Sequence, residues 1–451
     1  MWNARNSGKG DESFKVQPFV YDLLAKGVLC FINGCLAAYN GKTWVTGKLP
    51  VMSVLASMDR SLSIHNLKDA LAFAEIVEDD PPAEYCFKDD PYLISCGNGV
   101  LDMHTMELQP FSNNLHCCTQ IPWNWVPEAK SSVLDDFLSK VSGGDQKKVG
   151  MLLSCVASVL FRKRIFQVIW ILKGEGSNGK SVFLNMLRSF FGERNCSSVS
   201  LAQLSTRFGA SSAMGHLLNA NAEMESERIS ASGQAILKNM ASGDYIAVEA
   251  KGQDLTGHYA VSPLPVFSCN TFPQMSDRSD GFSRRLRVIL FNARMSPNDK
   301  DFDLFLEEKL ADREVMEALF VEAAAVLLGL LARKYIGETD EMAAEKEKYL
   351  TECSSVLSFL DNLVEFVHGP DAPSVSYMHG NPMVTYATSK QIVMAAPIVT
   401  IYKDYYIPWC KASNRHPVEQ PLFSQEVGKR YQLKSEPRRI GGIEARYFCE
   451  K

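Results

Sequence analysis

Residues 165–190 constrain the chain most. They read I-F-Q-V-I-W-I-L-K, then G-E-G-S-N-G-K-S, then V-F-L-N-M-L-R-S-F. An apolar run rich in β-branched and aromatic residues feeds a glycine loop, and the loop opens into a helical pattern. Gly174, Gly179, Lys180 and Ser181 fit G-x-x-x-x-G-K-[ST], the phosphate-binding P-loop, in its strand–loop–helix setting. Glycine lets the backbone curl and approach an anion with no Cβ in the way. Backbone N–H groups and the helix N-terminus then face the phosphates. The pattern makes Gly174, Glu175, Gly176, Ser177, Asn178, Gly179, Lys180, Ser181 and Val182 the expected nucleotide-binding segment. Lys180 reaches the β- and γ-phosphates, and the Ser181 hydroxyl ligates Mg²⁺. The motif predicts binding of a nucleoside triphosphate; it does not say which motor or kinase uses it.

The chain has 451 residues, enough for two or three domains with proper cores. Its 46% hydrophobic and 22% charged residues are those of an ordinary globular protein. No run of about 18 uninterrupted apolar residues occurs: the stretch 149–160 is followed by Arg162, Lys163 and Arg164, and 318–332 contains Glu322. Twelve scattered cysteines without a C-x-x-C pair predict reduced thiols. A net charge of −5 argues against a protein that coats polyanions, though not against a local nucleic-acid channel.

Along the chain, residues 1–20 read as poorly structured. Asn40-Gly41 and Asn98-Gly99 read as tight turns between short apolar segments. The Pro- and Trp-bearing residues 110–130 read as an irregular connection. Helices are expected over 132–141, capped by Ser131 or Ser132, and over 146–161. A strand is expected to end near residue 223, although Asn219 and Asn221 make it a poor apolar run. A helix is expected next over 232–241, then a hairpin around Lys251-Gly252, a strand ending at Asn270, and another in S-R-R-L-R-V-I-L-F. Residues 338–349 read as a charged helix and 370–400 as a linker. The last hairpin turns at Gly441-Gly442.

Several segments, taken in order, resemble superfamily 3 helicases of the phage, plasmid and poxvirus branch, in which the helicase is often fused to a primase. N-G-V-L-D-M (98–103) and I-P-W-N-W-V-P-E-A resemble the region preceding the motor. G-E-G-S-N-G-K-S is close to the family's loop. L-K-N-M-A-S-G-D-Y-I (237–246), F-S-C-N-T-F-P and G-F-S-R-R-L-R-V-I-L-F resemble the later motor motifs. I-Y-K-D-Y-Y-I-P-W-C and R-R-I-G-G resemble its C-terminal tail.

The resemblance implies roles. Glu223, with Glu225 sharing the task, is the acid that polarises water or holds Mg²⁺. Asn270 is the neutral amide that orients water or contacts the γ-phosphate. Arg284 and Arg285 are arginine-finger candidates, Arg285 slightly preferred and Arg278 in reserve; a finger of this kind contributes about 10³–10⁵ in rate. Lys251 is the DNA-contacting tip of a central-channel hairpin, with His258 a weaker candidate. The last 51 residues hold ten Lys/Arg and six Asp/Glu, a local surplus of positive charge in an acidic chain. Lys429, Arg430, Arg438 and Arg439 are the expected duplex contacts there.

The expected fold is α/β. An AAA+-like P-loop ATPase core (146–335) follows an N-terminal α+β domain (1–145), with a helix and linker at 336–400 and a winged-helix-like DNA-binding tail at 401–451. The expected function is ATP- and Mg²⁺-dependent unwinding of forked DNA by translocation on a single strand. The enzyme is expected as a hexameric homo-oligomeric ring in the host cytoplasm, with no membrane partner. Only 97 residues precede the N-G-V-L-D-M segment, so a primase is expected on a separate chain. The alternatives are a nucleotide-gated initiator without unwinding activity, which a degenerate acid at Glu223 would favour, and a P-loop kinase, which needs an arginine-rich lid and a single compact domain.

Overall fold

The computed structural model describes residues 14–59, 62–206, 209–222, 229–244, 262–273, 280–295, 298, 303–363, 375–378, 381–384, 397–413, 415, 417–431, 433–440 and 442–450. These residues fall into two compact units, one ending at Ala343 and one beginning at Ala344.

The first unit opens with a four-stranded sheet of β1 (Leu29–Ile32), β2 (Cys35–Tyr39), β3 (Trp44–Thr46) and β4 (Cys86–Phe87), in the order β3-β2-β1-β4. Helices Val16–Ala25, Lys48–Met58 and Ile64–Asp79 share its core, which buries Val20, Leu24, Phe31, Val51 and Leu71. The first of these helices begins inside the stretch expected to be unstructured, because Val20, Leu23 and Leu24 form a buried stripe. At the turn between β2 and β3 the Asn40 side chain accepts from the amides of Lys42 and Thr43, each at 2.9 Å.

A meander comes next: β5 (Leu93–Ser95), β6 (Val100–Asp102) and β7 (Glu107–Gln109). The turn residue Asn98 does more than reverse the chain. Its amide nitrogen donates to the Trp125 carbonyl at 3.0 Å, and its oxygen accepts from the Trp125 N–H at 2.9 Å. That pairing fixes the Pro- and Trp-rich connection against the meander.

The main sheet is parallel throughout: β8 (Ile169–Lys173), β9 (Cys196–Ser197), β10 (Leu218–Asn221), β11 (Leu264–Cys269) and β12 (Leu286–Leu290), in the order β12-β8-β11-β10-β9. A parallel sheet covered on both faces needs strands apolar along their whole length, and β11 is buried at all six positions. β10 meets that demand differently. Asn219 is fully buried, and its oxygen accepts from Val199 N at 2.8 Å and Ser197 Oγ at 2.9 Å, while its nitrogen donates to Val199 O at 3.0 Å. The side-chain amide thus acts as an extra peptide group beside β9, which is why a buried strand carries asparagine.

Helices Ser132–Ser142, Gln146–Leu160 and Arg313–Arg333 complete the core. By length and composition the last could cross a membrane, but more than half of its apolar window is buried. Its Phe320 packs edge-on against Trp125 and Phe190, at ring separations of 5.2 and 5.9 Å. No disulfide joins the cysteines whose side chains are described.

Two arginines between the helix Gln146–Leu160 and β8 knit the unit. Arg162 pairs with Asp89 at 2.8 Å and donates to the carbonyls of Asp90 and Leu93. Arg164 is buried and donates to five carbonyls: Ser158, Val159, Phe161, Leu217 and Ser262.

The second unit packs helix Ser355–Leu363 with the helical run from Ile398 to Ala412 and with helix Gln420–Arg430, burying Val356, Phe359, Leu360, Tyr406, Cys410 and Phe423. Tyr406 shares a 2.6 Å hydrogen bond with Ser355 and accepts from Val418 N at 2.9 Å. The stretch 370–400, expected as an irregular linker, contains a short antiparallel pair, β13 (Val375–Met378) and β14 (Asn381–Val384). Strands β15 (Leu433–Ile440) and β16 (Ile443–Glu450) form the final hairpin, with Ile440 opposite Ile443.

Asp89 and Arg162 are both buried ion-pair partners, with side chains 7% and 3% exposed. Asp89→Ala leaves the guanidinium uncompensated and is expected to cost about 3–5 kcal/mol. Equilibrium chemical denaturation measures it; a loss below about 1 kcal/mol contradicts the role given to the pair.

Candidate functional site

The site forms where β8 ends. Lys173 leads into a loop of six residues, 174–179, and helix Lys180–Phe191 begins at once. Gly174 needs its missing Cβ: one placed there would overlap the Phe291 carbonyl oxygen and the Asn178 amide. Gly179 needs it twice over, since its φ is +88° and a Cβ would stand 2.7 Å from Val141 Cγ1. Gly176 has nothing within 4 Å of that position.

The loop is pinned from the neighbouring strands. Asn178 Nδ2 donates to Phe291 O at 2.8 Å, just beyond β12. Met295 N donates to Ser177 O at 2.7 Å, and Gly174 N to Cys269 O at 3.2 Å. Lys180 is 7% exposed, and its ammonium donates to Gly174 O at 2.6 Å, Glu175 O at 3.0 Å and Asn178 Oδ1 at 3.0 Å. No carboxylate among the described residues pairs with it. Burial lowers its pKa, with Cys269 opposing the shift. A buried ammonium solvated by neutral oxygens is a cation held ready for an anion.

The loop borders a cavity of about 1440 Å³. On one side lie the tips of β10 and β11: Ala222, Ser268, Cys269, Asn270 and Thr271. On the other lie helix Ser132–Ser142, Met295 and residues 303–309. The sheet order places this cavity where connections diverge. The chain leaves β8 toward the β9 edge, whereas β11 is followed across β8 by β12. Open α/β sheets bind ligands at the carboxyl ends of strands beside such a point.

Of the residues expected in the site, 176–182 line the cavity, with Ser181 exposed, while Gly174 and the exposed Glu175 lie outside its lining. Asn270 is exposed at the tip of β11 and lines it. Glu223 and Glu225 lie outside the described residues, as do Lys251, His258 and Arg278. Ala222, immediately before Glu223, lines the cavity, and its carbonyl accepts from Ser268 Oγ.

Arg284 and Arg285 are not in the cavity. They precede β12, whose first residue pairs with Ile169 at the start of β8. The four residue steps of β8, about 13 Å, separate them from the loop. Arg284 is exposed. Arg285 donates to Ser242 Oγ at 2.8 Å and to Gly281 O, and its Nε is buried with no hydrogen-bond partner among the described residues. Burial first and Arg284 second lower its pKa, with Asp244 opposing.

In the second unit, Lys429 and Arg430 are exposed at the end of helix Gln420–Arg430, with Arg430 3.6 Å from Glu347. Arg439 is exposed in β15 opposite Glu444, and Arg438 precedes it in the same strand. The contributions of Val133, Phe137 and Met295 to the cavity escaped the sequence reading, since nothing local marks apolar residues that meet the loop only after folding.

Residues 53–143 match the family described as D5 N terminal like, and residues 172–285 match a family of unknown function, DUF5906. Two solved structures are similar. One is described as the A form apo structure of NrS-1 C terminal region-CTR, at 12% identity and a TM-score of 0.48, covering 98% of this chain and 100% of that one. The other is the apo structure of NrS-1 C terminal region (305-718), at 12% identity and a TM-score of 0.49, covering 97% and 100%.

Gly174→Ala and Gly176→Ala separate a required glycine from a permitted one. Gly174→Ala is expected to destabilise the protein by about 1–3 kcal/mol through overpacking. Gly176→Ala is expected to be neutral or to gain up to about 1 kcal/mol by stiffening the unfolded chain. Thermal unfolding of the two variants side by side checks the order; equal losses contradict it.

Proposed function

We propose that this chain is an ATP-dependent replicative DNA helicase, with a P-loop ATPase core of the AAA+ kind that acts as a hexameric ring on single-stranded DNA in the host cytoplasm. The observation that carries the reading is Lys180, a buried ammonium held by neutral oxygens over a glycine loop at the carboxyl end of a parallel sheet. A triphosphate is the anion that such a strand–loop–helix takes. The D5-type match to residues 53–143 supports a replication setting over a metabolic kinase.

The chain's residues divide the work. The loop amides and Lys180 hold the phosphates and offset charge on the transferred group. Ser181, which is exposed, and Glu223 would hold Mg²⁺, which would supply charge neutralisation at the phosphates. Asn270, at the strand tip across the cavity, orients the attacking water without adding negative charge. Glu225 supports Glu223.

Arg284 and Arg285 stand a strand's length from their own loop, so a finger drawn from this pair serves the loop of a neighbouring copy. Arg284 is the better finger because it is exposed, while Arg285 is committed to Ser242 and Gly281. This reverses the preference drawn from sequence. Lys251 grips the single strand within the ring, and Lys429, Arg430, Arg438 and Arg439 contact duplex DNA at the fork.

The test of the reading is ATP hydrolysis with and without single-stranded DNA. Wild type is expected to hydrolyse ATP faster with DNA, and Lys180→Ala to lose hydrolysis while keeping its fold by circular dichroism. Wild-type turnover in that variant removes the assignment, and turnover indifferent to DNA favours the initiator reading.

Arg284→Ala is expected to bind ATP and lower kcat at least 10³-fold, with Arg285→Ala acting instead through stability. Mixing Arg284→Ala with Lys180→Ala subunits is expected to restore part of the activity, since some interfaces then pair an intact loop with an intact finger. No rescue in mixed rings of demonstrated composition contradicts a shared site.

A further inference from the structure

Strand β12 forms one edge of the main sheet, and its second residue is a buried arginine. Nη1 of Arg287 donates to Arg284 O and Leu286 O, each at 2.8 Å, and to the Glu338 carboxylate at 3.1 Å. Nε and Nη2 donate to Ile336 O at 3.1 and 2.8 Å. The centre of the Tyr335 ring lies 5.7 Å from the guanidinium carbon. One side chain thus joins the backbone at Arg284 to the segment 335–338.

That segment follows helix Arg313–Arg333 and leads into a helix that begins at Asp340. Ile336 and Met342 anchor it in the main core. Beyond Glu338 the chain meets the other end of β12: Glu341 accepts from Asn292 at 3.1 Å and pairs with the buried Lys148 at 2.9 Å. The residue before Asn292, Phe291, is the one that receives Asn178 of the glycine loop. One stretch of chain therefore holds β12 at its Arg284 end and at its loop end, through two carboxylates and two buried cations.

We infer that Arg287, locked by Ile336 and Glu338, is the residue that positions the finger Arg284, an inference that rests on Arg284 serving a neighbouring copy. Arg284 is exposed, so its backbone, not packing around its side chain, sets where the guanidinium starts. That backbone is held at three successive carbonyls. Those of Arg284 and Leu286 accept from Arg287, and that of Arg285 accepts from Ile169 N at 2.8 Å. A misplacement of about 1 Å can cost about a hundredfold in rate. Burying an ion pair gains little stability over an apolar pair of similar volume; what this pair supplies is a fixed direction. Arginine suits the task because its three nitrogens reach four oxygens, whereas lysine keeps the charge but brings one nitrogen.

ATP binding and hydrolysis by the full chain test this. Arg287→Lys is expected to leave the ATP dissociation constant within about twofold and to lower kcat at least about tenfold. Mixing it with Lys180→Ala subunits is expected to restore part of the activity, as for Arg284→Ala, because an intact finger then faces an intact loop. Glu338→Gln is expected to lose less, about threefold in kcat, since a neutral amide still accepts at roughly half the strength. It decides by the same criteria if Arg287→Lys does not fold by circular dichroism. Three results overturn the inference: a wild-type kcat, weakened ATP binding with kcat unchanged, or a loss that Lys180→Ala subunits do not relieve although they relieve Arg284→Ala. A residue that served only the fold of its own subunit would give the last of these. Mixed rings that relieve neither variant remove the shared site itself, and the inference with it.

Discussion

The structure depends on a parallel sheet that must be covered on both faces. Such a sheet leaves few places for polar chemistry: its edges and the ends of its strands. β8, between β12 and β11, is subject to this directly, since its first four residues are fully buried. The chain leaving β8 must therefore satisfy its backbone at once. It does so by folding a glycine loop against Phe291 and Cys269 and by capping the loop's carbonyls with Lys180. The candidate site is the polar end of a buried strand, and the same buried frame that forbids charge within the sheet gives it a seat at the tip.

Side-chain amides extend that frame at three points. Asn98 pairs with the Trp125 peptide, Asn178 ties the loop to the residue beyond β12, and Asn219 stands in for a peptide beside β9. An amide offers a donor and an acceptor without a charge, so it can be buried at modest cost when both are used. All three lie where a regular ladder stops and the chain must leave it.

Much of this was legible in the sequence. The strand–loop–helix followed from pattern alone, as did the turns at Asn40 and Asn98. Asn219 looked wrong for a buried strand because periodicity counts apolar residues and cannot see a partner 20 residues away. Helix Val16–Ala25 was missed because its apolar stripe is short and lies beside a polar terminus. Arg284 and Arg285 are equivalent as letters, and only packing against Ser242 distinguishes them. The apolar flank of the cavity was illegible for the same reason: Val133, Met295 and Leu304 are brought together by topology, not by local pattern.

Arg164 bears on how the first unit can move. Its guanidinium joins the last turn of helix Gln146–Leu160 to the residues just before β10 and β11, at the end of the sheet opposite the glycine loop. Arginine keeps its charge and spreads five donors across a plane, whereas lysine gathers three on one nitrogen. No single ammonium could reach these carbonyls together. Mechanically, the plane acts as a rivet: sliding one of the three elements past the others would strip a buried cation of its oxygens. Separating any one of these elements from the others at this end of the sheet would therefore leave a buried cation short of its oxygens.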